Sequence, residues 1–135
     1  MRKRLAKDYF ERGIKRRKML NILMEEKDYA DVVRESQEIV ELILKGLLLY
    51  YGIEAPKVHD VGIILEKNKD IFPEFLKEKI PSIAKISKEL RKDRELAFYG
   101  AEDIIPLEYY QKEDADKAIS YVDEIILLLK KIFNL

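Results

Sequence analysis

Cysteine, tryptophan and threonine are absent from these 135 residues, and there is one histidine, His59. Without cysteine there is no disulfide framework, no thiolate nucleophile and no sulfur-ligated zinc site. With one imidazole, no site needing two can form within a single chain, so no metal or other cofactor is expected. The four serines, Ser36, Ser82, Ser87 and Ser120, stand outside any nucleophile-elbow context. The five glycines are scattered and make neither a phosphate loop nor a dinucleotide fingerprint. Asparagine and glutamine are also scarce, three and two, beside 39% charged residues. That is a thermophile-like bias.

What is present suits one helical domain over residues 1–135. A chain of this length buries roughly two-thirds of its surface on folding. Its 47% hydrophobic content is too high for disorder. The start MRKRLAKDYF is basic but has no apolar core behind it, so it does not read as a secretory signal. The longest apolar stretch, IVELILKGLLLYYGI, is interrupted by Glu41 and Lys45 and is too short to span a bilayer. A soluble cytoplasmic protein without membrane contact is expected.

Apolar residues recur at helical spacing through most of the chain. A first helix is predicted from Arg2 to about Glu26, with Leu5, Ala6, Tyr9, Phe10, Gly13, Leu20, Leu23 and Met24 on its inner face. A second begins near Asp28 or Asp31, either able to cap it, and stops at Gly52. Its stripe is Val32, Val33, Ser36, Ile39, Val40, Ile43, Leu44, Leu47 and Leu48. Few residues join these two helices, so they should lie antiparallel. Asp60 is placed to cap a short helix, and another short piece follows Pro73. The helix after Pro81 aligns Ile83, Ser87, Leu90, Arg94 and Ala97, and Gly100 ends it. AEDIIPLEYYQK reads as an irregular connection to a last helix from about Glu113 to Phe133. No convincing run alternates with period two. The fold class is therefore all-α, an up-and-down bundle of four main helices with one or two short ones.

Net charge is zero, from 26 basic and 26 acidic side chains, but the charge is segregated. Residues 1–18 hold nine basic against two acidic groups, a local +7. The cluster Lys15, Arg16, Arg17 and Lys18 is the one plausible electrostatic footprint for RNA or another polyanion. The alternative is a solvated face paired with acidic segments elsewhere.

Arg94 falls where helical spacing calls for an apolar side chain. A guanidinium facing a core or interface is costly unless paired. It therefore belongs either to a structural ion pair with a facing glutamate or to a phosphate contact. Tyr99, five residues on, should point away from Arg94 in an ideal helix, unless fraying or a turn at Gly100 brings the phenol back. His59–Asp60 resembles a phosphohydrolase pair only superficially, since the further histidine ligands are lacking. His59 is expected to pack or cap its loop. Glu38, Glu41 and Lys45 offer helical ion pairs, with Glu41 to Lys45 in the favoured orientation.

Taken in order, DYADVVRESQEIVELILKGLLLYYGI with its Glu-x-x-x-Lys step, VHDVGIIL, RELAFYG and a final amphipathic helix resemble the HEPN superfamily over nearly the whole chain. The resemblance implies a helical bundle that forms a homodimer. It also implies a nucleotide or RNA site at the dimer interface and a toxin-like partnership with a separate minimal nucleotidyltransferase. Many members are metal-independent endoribonucleases with an arginine, four to six residues, then a histidine. Here Arg94 matches the arginine, and Tyr99 stands in the histidine position. A phenol, with a pKa of about 10, is a poor general base at neutral pH but can donate a hydrogen bond or stack on a base. Three functions follow: a nucleotide- or RNA-binding homodimer using Arg94, Tyr99 and Lys15 to Lys18; an endoribonuclease toxin; and a protein–protein module in which Arg94 is structural.

Overall fold

The structure, a computed structural model, describes residues 2–54 and 60–134. Four long helices form the bundle: α1 (Arg2–Glu25), α2 (Tyr29–Tyr50), α5 (Ile80–Tyr99) and α7 (Lys112–Phe133). Shorter helices α3 (Val61–Lys67), α4 (Glu74–Lys77) and α6 (Pro106–Tyr109) and a 3-10 turn at Lys69–Ile71 fill the connections. No strand occurs among the described residues. The all-α expectation holds.

Local chemistry sets the boundaries. Lys27, at φ 58°, turns the chain out of α1. Asp28 then caps α2 by accepting the Asp31 N–H at 3.1 Å. So short a link folds α2 back antiparallel on α1. Asp60 caps α3 through the Gly62 N–H at 2.8 Å. Pro81 sits in the first turn of α5, where its missing N–H costs nothing. Gly100, at φ 73°, ends that helix in a conformation other residues rarely adopt. A capping box between Gln111 and Asp114 starts α7 one residue before the expected Glu113.

Helix α2 runs through the middle and packs on α1, α5 and α7. Its Ile39, Ile43, Leu44, Leu47 and Leu48 are fully buried, as its stripe predicts. Ser36 and Ser87, placed inside by the same spacing, are buried too. Phe10 of α1 stacks on Phe133 of α7 at 4.7 Å, and Tyr50 meets Phe133 edge-on. Two expectations need correction. Leu5 is 43% exposed, because Ala6 and Phe10 take the inward positions on that turn. The segment after Gly100 is not wholly irregular: an Ala101–Ile104 bridge closes a turn and Pro106 starts α6. Tyr110 anchors it, buried with its hydroxyl donating to Asp93 Oδ1 at 3.1 Å. Burial first, then the Asp93 carboxylate, pushes that phenol well above its ordinary pKa.

The seam between α1 and α2 depends on two glycines. A Cβ at Gly13 would lie 2.5 Å from Ile43 Cγ1, and one at Gly46 would lie 3.0 Å from the Ala6 carbonyl oxygen. Overpacking such a contact costs about 1–3 kcal/mol or more. Gly13→Leu is therefore expected to lower the thermal unfolding midpoint by several degrees, despite leucine's better helix propensity. An unchanged midpoint would mean the helices do not approach this closely.

Candidate functional site

Helices α2 and α5 lie antiparallel, so four residues up one matches four residues down the other. That register sets Arg34 opposite Phe98 and Glu38 opposite Arg94. The Arg34 guanidinium sits 4.2 Å from the centre of the Phe98 ring, a cation–π stack. Arg94 Nη2 lies 3.3 Å from Glu38 Oε1. Phe98 and Tyr99 meet edge to face at 4.6 Å. Arg34, Arg94, Glu95, Phe98 and Tyr99 together line an open cleft of about 230 Å³.

This geometry selects among the alternatives open for both candidate residues. The Arg94 side chain is not buried in the core but 45% exposed at the edge of the helix pair. Its pairing with a facing glutamate is the structural alternative left open above, now within one chain. Tyr99 does not leave the neighbourhood of Arg94. The last turn of α5 carries it onto the rim of the same cleft, 78% exposed. Arg34 and Phe98 were missed. Their signal was in the sequence only as i,i+4 offsets from Glu38 and Arg94, which matter once the register of α2 on α5 is known. Among the described residues no carboxylate lies within ion-pair distance of Arg34, so its N–H edges stay available for a ligand.

The basic cluster of α1 does not form one patch. Successive residues on a helix point about 100° apart. Arg16 turns to α2 and bonds Glu35 Oε1 at 2.8 Å, with Glu35 buried. Arg17 turns to α7 and grips both oxygens of Asp123, at 2.7 and 3.1 Å. Lys15 and Lys18 remain exposed. Two of the four charges are thus internal struts. Glu41 and Lys45 make their expected contact at 3.9 Å, while Glu38 is drawn to Arg94 instead. His59 lies outside the described residues.

Beside the cleft runs an apolar groove lined by Ala97, Phe98, Ile105, Pro106 and Leu107 on one side and by Asp28, Ala30 and Asp31 on the other. Hydrogen bonding to Asp28 chiefly, then burial, pushes the Asp31 carboxyl up to about 6. Phe98, Tyr99, Ile105, Leu107 and Tyr109 are all exposed along this end of the molecule. Clustered exposed apolar surface marks an interaction face.

The family model for the HEPN domain matches residues 6–132. The chain belongs to the HEPN domain family. A relative from Methanocaldococcus jannaschii, named "Putative toxin MJ1304", is 29% identical over 131 residues, covering 93% of this chain and 86% of the relative. No solved structure matches the chain. In this HEPN bundle no helix among the described residues is long and apolar enough to cross a membrane. No group of acidic or imidazole side chains among those residues could hold a metal ion.

Two measurements test the roles assigned to these charges. Arg16→Ala strands the buried Glu35 carboxylate and should cost about 1–3 kcal/mol in chemical denaturation, less than a fully enclosed pair because Arg16 is partly solvated. Replacing Lys15 and Lys18 by alanine should change stability by under about 0.5 kcal/mol each. The raised Asp31 pKa means the folded protein keeps a proton that the unfolded chain releases above pH 3.8. That contribution is present at low pH and is lost as pH rises through about 6. Asp31→Asn keeps a donor toward Asp28 without the charge. Its melting temperature relative to the unsubstituted protein should rise between pH 4 and pH 7.5. A difference that stays constant with pH would count against the shared proton.

Proposed function

We propose that this HEPN protein works as a homodimer that binds RNA or a nucleotide in the Arg94 cleft. The observation that carries the reading is the convergence of two guanidiniums and two exposed aromatic rings in one open cleft. Arginine edges suit phosphate oxygens, and aromatic faces suit bases. Arg94 and Arg34 would contact phosphate, and Tyr99 and Phe98 would stack. Lys15 and Lys18 would add only a diffuse attraction. The exposed apolar face beside the cleft supports self-association, since a two-fold interface buries the same patch on both copies and would bring two clefts together. The toxin name of the archaeal relative and the family membership support a toxin-like role. On this reading a separate minimal nucleotidyltransferase is its partner.

A second reading has one observation in its favour. The Arg94–Glu38 pair answers the Arg94 charge without a ligand, as a protein–protein module would require. Cleavage of RNA is a third outcome, with Arg94 stabilising transition-state charge and Tyr99 handling a proton. His59 is the other proton-transfer candidate carried by the sequence.

Fluorescence anisotropy with a short single-stranded oligoribonucleotide separates these. Arg34→Ala and Arg94→Ala should each weaken binding roughly tenfold, the cost of one charge-assisted hydrogen bond, with the fold intact by circular dichroism. Ile105→Lys with Leu107→Lys should shift sedimentation from dimer to monomer. Unchanged affinity in both arginine variants would leave the protein–protein module. Metal-free cleavage lost in Arg94→Ala would establish the ribonuclease.

A further inference from the structure

Resting on the binding reading above, we propose that Glu38 is a specificity-determining residue of this cleft. It tunes the cleft to a singly charged phosphodiester and against a doubly charged terminal phosphate. Three charged side chains line the ligand space, Arg34, Arg94 and Glu95, and a fourth, Glu38, pairs with Arg94. Arg34 and Arg94 are positive, and Glu38 and Glu95 are negative, so they cancel. Glu38 is not a bystander, because its carboxylate lies 3.3 Å from Arg94 and is only 22% exposed. The contact is a single point rather than a two-pronged clamp. The remaining N–H groups of the Arg94 guanidinium stay free for an anion. Any phosphate that takes them shares the Arg94 charge with the Glu38 carboxylate.

An internal phosphodiester spreads one charge over two oxygens. It can take the free edge of Arg94 and the edges of Arg34 with modest repulsion. A terminal phosphate carries about −1.5 to −2 at neutral pH, and its second charge finds Arg94 already partly neutralised by Glu38. Arg34, held against Phe98 rather than against a carboxylate, is the half of the cleft that Glu38 does not temper. The arrangement thus favours a ligand that continues beyond the site in both directions over one that ends in it.

The test compares two short oligoribonucleotides of the same sequence, one with hydroxyls at both ends and one with a 5′-monophosphate. Both are titrated by anisotropy into the intact protein and into Glu38→Gln, which keeps the size but removes the charge. In the unsubstituted protein the 5′-phosphate should give no gain in affinity. In Glu38→Gln the phosphorylated oligonucleotide should gain roughly threefold or more over the hydroxyl-ended one, as expected for removing one partly exposed like charge. If Glu38→Gln melts out, Glu38→Asp, which withdraws the carboxylate by one methylene, should give an intermediate ratio. A ratio unchanged by either substitution overturns the role of Glu38 while leaving the cleft in place. Failure of the unsubstituted protein to bind either oligonucleotide, or binding insensitive to Arg94→Ala, sinks the binding reading and this inference together.

Discussion

The close approach of α1 to α2 at Gly13 and Gly46 is the constraint on which the rest of the molecule depends. With no side chain at Gly46, the α1 backbone at Ala6 can come almost into contact with α2. That proximity sinks α2 into the middle of the bundle and leaves its other faces to α5 and α7. Dispersion and burial then act on nearly every apolar side chain of α2. The buried Glu35 carboxylate of α2 is paired with Arg16 of α1. The same rigid placement of α2 sets the register in which Arg34 and Glu38 meet α5.

The cleft follows from what α2 cannot bury. In its N-terminal half Glu35, Ser36 and Gln37 are buried, whereas Arg34 and Glu38 are only partly covered and fall at the edge of the helix pair. The end of α5 answers with Arg94 and Phe98 at matching heights. The result is a surface where charge and aromatic area are interleaved. Each interaction is individually small, since exposed ion pairs contribute at most about 1 kcal/mol. Pairing this weak would cost little fold stability if a ligand replaced it.

Segregated charge has two roles here. The +7 start of the chain suggested a polyanion footprint, yet Arg16 and Arg17 fasten α1 to α2 and α7 through Glu35 and Asp123. Two charges of the basic excess are thus answered by acidic groups of other segments. The balance that gives zero net charge is partly a set of contacts between helices. Arg34, without a carboxylate in ion-pair distance among the described residues, lies instead against the exposed Phe98 ring.

The sequence alone determined the helices, most of the core and the family resemblance. Periodicity of 3.6, capping residues such as Asp28 and Asp60, and the stop at Gly100 are local properties, read without knowing what packs on what. It also singled out Arg94, since a charge at an apolar-spaced position is a local anomaly. Only the tertiary structure decided what Arg94 and its neighbours do. Whether Arg94 faces Glu38, whether Arg34 stacks on Phe98, and whether four adjacent basic residues share a face depend on the register and rotation of one helix against another. Those are set by close packing summed over whole helix faces, and a shift of a few ångströms would exchange every partner. The helix stripe fixes which side faces in, but not how far along its neighbour each residue comes to rest.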